Sequence, residues 1–413
     1  MTDRALWHGQ AHMPTSQAQR LVVTDGDGAW LTTSDGRRLL DATASLWHAN
    51  VGHGRERIAR AAYEQMRRLE TYHVFGRFAN EPALDLADRL ADLGPVQGGR
   101  VMLTSGGSDS VDLACKLVRR HWQLEGRPEK TVVVSRETAY HGLHGFGTSI
   151  AGLPYNREGY GSASLVPETL RIPAHDLGAA LAQLDAFGTD RVAAIILEPV
   201  IGTGGVFGPV EGYLEGLQAF AQERDVLLVV DEVITGFGRT GVMFASERYA
   251  LEPDLVLMAK GLTSGYAPLG AVLVAPRVAD RFFDGDDAPM FRHGLTYSGH
   301  ATACAVAHAN LDVLEEEGLL ERAAHLEKVL ADAVQPLADH PLVHEVRAGA
   351  GFLAGVQVVD EVRGDDVAQE CVRRGVLTRT IHANTLQICP PFVTTEDEVR
   401  LVATTVADAL DTF

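Results

Sequence analysis

Leu227-Leu228-Val229-Val230-Asp231 and Leu255-Val256-Leu257-Met258-Ala259-Lys260 decide how this chain of 413 residues is read. Each is a short apolar run that stops on a charge, the form of a strand buried on both faces whose end meets a cleft. Similar runs stand around them: Val101-Met102-Leu103, Val132-Val133-Val134, Ala193-Ala194-Ile195-Ile196-Leu197 and Ala271-Val272-Leu273-Val274. Between several of these lie helical spacings. Val111, Cys115 and Val118 share one helix face, and Leu214, Leu217 and Ala221 share another. The alternation predicts βαβ units and a largely parallel sheet covered on both sides, hence a large α/β domain.

Upstream, Trp30 to Leu40 reads as a hairpin turning at Asp35-Gly36, followed by a helix with Ile58, Ala62, Met66 and Leu69 on one side. Beyond about residue 300 the pattern changes to long helices and short strands, among them Leu386-Gln387-Ile388-Cys389. The last helix opens with a capping box at Thr395-Glu396-Asp397-Glu398 and carries Val399, Val402, Val406 and Leu410 inward. The expected division is 55–300 as the large domain and 301–413 as a smaller α+β domain, which the segment 1–54 joins.

A net charge of −19 repels nucleic-acid backbones and acidic membranes. Cys115, Cys304, Cys371 and Cys389 are far apart and make no C-x-x-C pair, which suits a reducing cytoplasm. No apolar stretch is long enough to span a bilayer, and the first residues lack a signal-peptide core. A cytoplasmic protein with small-molecule partners is expected.

In open parallel sheets, ligands gather beyond the carboxyl ends of the strands. In this sequence those ends carry Gly106-Gly107-Ser108, Tyr140-His141-Gly142, Glu198-Pro199, Asp231 and Lys260. The glycines and Ser108 before a helix can cradle a phosphate, or can form an ordinary turn with Ser108 as N-cap. Tyr140 and Val233 can flank a planar ring or simply pack at strand ends. Asp231 has no His or carboxylate at ligand spacing, and His141 and His144 lack a glutamate partner, so no metal site is expected. Gly236-Phe237-Gly238-Arg239-Thr240-Gly241 matches the dinucleotide fingerprint G-x-G-x-x-G, but it starts about five residues past the strand with no core helix face after it. An amine and a carboxylate at strand ends suit pyridoxal phosphate, the amine for an aldehyde and the carboxylate for a protonated pyridine nitrogen.

With 231–241 and Lys260-Gly261-Leu262-Thr263-Ser264-Gly265-Tyr266-Ala267-Pro268-Leu269-Gly270 both in view, the sequence resembles the class III pyridoxal-phosphate aminotransferases, most nearly the ω-amine:pyruvate transaminases. The likeness includes Leu46-Trp47, Val51-Gly52-His53-Gly54-Arg55, Glu198-Pro199-Val200 and 293–300. It implies fold type I, with a mostly parallel sheet of the seven-stranded type. It also implies a pyridoxal 5'-phosphate cofactor joined to Lys260 as a Schiff base and paired through its ring nitrogen with Asp231. By the same likeness Tyr140 and Val233 sandwich the ring, Gly107 and Ser108 hold the phosphate, and His141 and Glu198 belong to the cofactor's surroundings. Thr296 is expected to reach the phosphate of a neighbouring subunit, making a homodimer. Trp47 is expected to wall the substrate pocket and Arg379 to clamp a carboxylate, with Glu198 near it. The reaction implied is ping-pong transfer of an amino group from a primary amine or ω-amino acid to an oxo acid such as pyruvate. A racemase, aminomutase or decarboxylase on the same fold is the alternative, ahead of a nicotinamide oxidoreductase. Asp109, Ala301 and His382-Ala383-Asn384 depart from the family's usual residues and bear on the detail of the cofactor and substrate loops rather than on the reaction type.

Overall fold

A computed structural model describes residues 5–413. Seven strands form the central sheet in the order Arg100–Thr104, Gly270–Val274, Leu255–Met258, Leu227–Asp231, Val192–Leu197, Val132–Arg136, Thr169–Ile172. Only Gly270–Val274 runs against its neighbours; the other pairs are parallel. All residues of Val192–Leu197 and Leu227–Asp231 are buried, so these runs can be apolar at every position instead of alternating.

The period-two geometry of a strand divides each run between two cores. Val229 and Leu257 meet Val111, Cys115, Val118 and Trp122 of helix Gly107–Leu124 on one face. Val230 and Ile195 meet Leu214, Leu217 and Ala221 of helix Tyr213–Glu223 on the other, with Ala180 and Leu184 of Leu177–Phe187.

Helices Ala301–Glu316 and Leu319–Val334 lead to an antiparallel sheet of Val343–Arg347, Ala354–Val358, Thr385–Ile388 and Arg379–Ile381. The hairpin Trp30–Thr33 and Arg38–Asp41 turns through Gly36 at φ +84°, and Val376–Leu377 adds to it in parallel, with Val376 opposite Leu40. The capping box is made by Thr395 and Glu398, and Val399, Val402, Val406 and Leu410 are buried.

Two local expectations change. Helix Glu56–Arg68 buries Ile58 but leaves Met66 exposed, and Leu69 already lies in extended backbone past its end. The fingerprint 236–241 forms turns rather than a strand-to-helix junction. Its Gly238 and Gly241 let the chain pass Phe392 and Ala324, which a Cβ would approach to 2.8 and 2.9 Å. Arg239 is fully buried and donates to the carbonyls of Phe352 and Pro390 and to Asn50 Oδ1. That backbone is filled by core side chains, which overturns the dinucleotide reading.

Candidate active site

The five strand ends converge on a cavity of about 150 Å³ lined by Gly107, Ser108, Val111, Tyr140, His141, Gly142, Glu198, Val200, Asp231, Val233, Ile234, Ala259 and Lys260. Larger and more open hollows, such as one of about 550 Å³ lined by Val329, Leu337 and Ala407, contain no lysine.

Lys260 begins the connection from Leu255–Met258 to the reversed strand Gly270–Val274 and has φ +43°. A non-glycine residue in that region carries strain of roughly 1–3 kcal/mol and persists only where its surroundings dictate it. They do so here. Asn310 Nδ2 donates to the carbonyls of Gly261 and Leu262 at 2.9 and 3.0 Å. Asn50 Nδ2 donates to Phe237 O, and a Cβ on Gly261 would stand 2.5 Å from that amide nitrogen. Burial holds the Lys260 amine below the ordinary lysine range, opposed by the charges of Asp231 and Glu198 and aided by that of Arg379.

Asp231 Oδ2 is 2.8 Å from His141 Nδ1, and its Oδ1 accepts from Val233 N at 3.1 Å. A carboxylate only accepts, so the bond requires the proton on Nδ1 of His141; the buried Nε2 has no partner among the described residues. Glu198 is buried, and its two oxygens accept from the N–H groups of Tyr140 (3.1 Å) and Gly202 (3.0 Å). Burial raises its carboxyl above the usual range, an effect reduced by the neighbouring His141, Gly202 and Arg136.

Ser108 lies inside helix Gly107–Leu124, whose N-cap Gly106 makes no side-chain cap bond, so the N-cap reading of Ser108 gives way. Ser108 Oγ instead accepts from Leu143 N at 3.2 Å. The first-turn N–H groups have no acceptor within the helix. A Cβ on Gly142 would stand 2.3 Å from Ser108 Oγ, and one on Gly107 would stand 3.0 Å from Val233 Cγ1. A hydroxyl, bare helix N–H groups, an aromatic ring, an unpartnered imidazole nitrogen, a carboxylate and an amine fit pyridoxal phosphate as a donor set.

Three residues singled out from the sequence do not line the cavity. Trp47 is 1% exposed at φ +67° and packs with Val200 and Ile234, so it stands behind the wall. Thr296 is exposed, beside Tyr297. Arg379 Nε donates to Gln387 Oε1 at 2.6 Å, and no ion pair joins Arg379 to Glu198 among the described residues. Sequence reading missed Gln387, Asn50 and Asn310. Only the position of Gln387 in an otherwise apolar strand run could have signalled it.

The family model for class-III aminotransferases matches residues 12–410. The chain is 37% identical to an omega-aminotransferase of Caulobacter vibrioides, over 93% of this chain and 92% of that one. It is 35% identical to a putrescine–pyruvate aminotransferase of Pseudomonas aeruginosa, over 94% and 90%. The PLP-bound crystal structure of an amine transaminase from an uncultivated Pseudomonas species superposes with a TM-score of 0.93, at 34% identity over 99% of both chains. The strand-end lysine and carboxylate thus sit in a chain that belongs to the class-III aminotransferases, pyridoxal-phosphate-dependent enzymes of fold type I.

Proposed function

We propose that this aminotransferase moves an amino group from a primary amine or ω-amino acid to pyruvate by a ping-pong route. The observation that carries the reading is the convergence of Asp231 and Lys260 on one cavity. The resemblance to a putrescine–pyruvate enzyme supports the choice of acceptor. When bound, the chemistry that pyridoxal phosphate supplies is an aldehyde and an electron-accepting ring.

The protein's own contribution follows from the site. Lys260 Nζ would hold the cofactor and would move a proton at the substrate carbon; burial favours the uncharged form of that amine. Asp231 keeps a proton on the ring nitrogen, and His141 orients that carboxylate. Tyr140 and Val233 flank the ring. Ser108 and the N–H groups at Gly107 hold the phosphate, and Glu198 fixes the Tyr140 loop. Arg379 offers its fork of donors to the oxo-acid carboxylate, while Trp47 supports the substrate wall through Val200 and Ile234.

We also infer a homodimer in which Thr296 reaches the neighbouring site. Tyr63, Met66, Tyr72, Phe75, Phe78 and Tyr297 are all exposed in the single chain, which supports a covering copy. Four buried, unpaired cysteines support a reducing compartment, and no helix among the described residues is long and apolar enough to cross a membrane.

Incubating holoenzyme with putrescine and pyruvate tests the function. Alanine formed in step with amine loss is expected. Putrescine lost with no matching alanine, or no alanine formed from either putrescine or an ω-amino acid, would overturn it.

A further inference from the structure

We propose that Gln387 is a positioning residue that holds Arg379 through a neutral amide, leaving the guanidinium charge uncompensated for a substrate carboxylate. The inference rests on the reading of Arg379 as the carboxylate clamp. Arg379 and Gln387 are opposite each other in the antiparallel pair Arg379–Ile381 and Thr385–Ile388, so both side chains leave the sheet on the same face. Gln387 is fully buried. Its Oε1 accepts from Arg379 Nε at 2.6 Å, and its Nε2 faces Cys389 Sγ at 2.8 Å and Thr43 O at 3.3 Å. A guanidinium has only donors, so the amide oxygen must face it and the NH₂ must face Thr43. Cys389 Sγ donates to the same carbonyl at 3.1 Å, which ties the dock to the segment leading into Trp47.

Among the described residues no carboxylate competes for the arginine. Glu198 uses its oxygens on the N–H groups of Tyr140 and Gly202, and Arg379 has no ion pair and no second hydrogen bond among the described residues. Its two terminal NH₂ groups are therefore the donors left for a bidentate contact, with the Nε edge already anchored. A carboxylate in place of the amide would instead neutralise the guanidinium and weaken its pull on an incoming oxo acid.

The test compares wild type with Gln387→Leu, Gln387→Glu and Arg379→Ala as holoenzymes, following the acceptor half-reaction with pyruvate and with propanal, which lacks the carboxylate. Inhibition by unreactive propionate gives a binding readout independent of turnover. Because a hydrogen bond to a charged group is at stake, Gln387→Leu should weaken pyruvate and propionate by about 10-fold or more, with propanal falling far less. Gln387→Glu, which keeps an acceptor in place, should also lose pyruvate affinity. Equal losses on pyruvate and propanal in Gln387→Leu, or wild-type pyruvate affinity in either variant, would overturn the dock. If Arg379→Ala itself binds pyruvate normally, the clamp fails and the dock with it. A weakened Arg379→Ala beside a normal Gln387→Leu fells the dock alone.

Discussion

Lys260 is one of only four lysines in the chain, and the other three are engaged elsewhere. Lys116 meets His293 Nδ1 at 2.9 Å, Lys130 donates to the Asp225 carbonyl beneath the Trp122 ring, and Lys328 pairs with Asp332. Lys260→Ala is therefore expected to abolish transamination while far-UV circular dichroism keeps its native form. The amine also leaves a trace in stability. Its folded pKa lies below the unfolded value, so the unfolded chain binds more protons, and stability rises with pH from the depressed value up to the ordinary lysine value of about 10.5. Apo Lys260→Met should accordingly melt above apo wild type at neutral pH, and the gap should narrow as pH approaches 10. Asp231→Asn retains shape but removes the charge; kcat is expected to fall about 100-fold or more, the scale of lost proton-transfer assistance, with a smaller effect on cofactor affinity. At this scale the sequence was most legible where chemistry ends an apolar run, as at Asp231 and Lys260. The clamps on the Lys260 turn were not legible, because Asn50 and Asn310 reach it only through the tertiary fold.

Elements were readable wherever one periodicity dominates. The apolar runs became strands of one sheet, and the 3.6-residue spacings at Val111 to Val118 and Leu214 to Ala221 became buried helix faces. Leu217 is fully buried, so Leu217→Ala should cost about 2–5 kcal/mol in urea unfolding. By contrast Thr395→Ala should cost about 1 kcal/mol through the lost cap and leave turnover unchanged. Turns were less legible than regular elements. The same glycine spelling served a close approach to Phe392 at Gly238 and to Ala324 at Gly241, not a nucleotide. Trp47 lies behind the wall on a backbone with φ +67°, a conformation no periodicity encodes. Gly142 has φ +80° and no space for a Cβ beside Ser108. Gly142→Ala should thus push Ser108 out of place and weaken cofactor retention on dialysis, with the far-UV spectrum preserved.

For the whole molecule, the sheet gathers groups from five separate strand ends, and the parallel pairing of Leu227–Asp231 with Leu255–Met258 brings Asp231 and Lys260 to the same cavity. The apolar side chains left outside belong to the same scale. Met66 faces outward although its spacing marks a buried face, as the proposed homodimer expects. Sedimentation should show a dimer for wild type, and Met66→Glu should shift it toward monomer with loss of activity. Lys260 is the amine proposed to hold the cofactor. Borohydride reduction of the holoenzyme, followed by peptide mass spectrometry, tests it most directly. The reduced cofactor's mass is expected on the peptide containing Lys260 and on no other; an adduct on Lys116, Lys130 or Lys328 with Lys260 unmodified would refute that role.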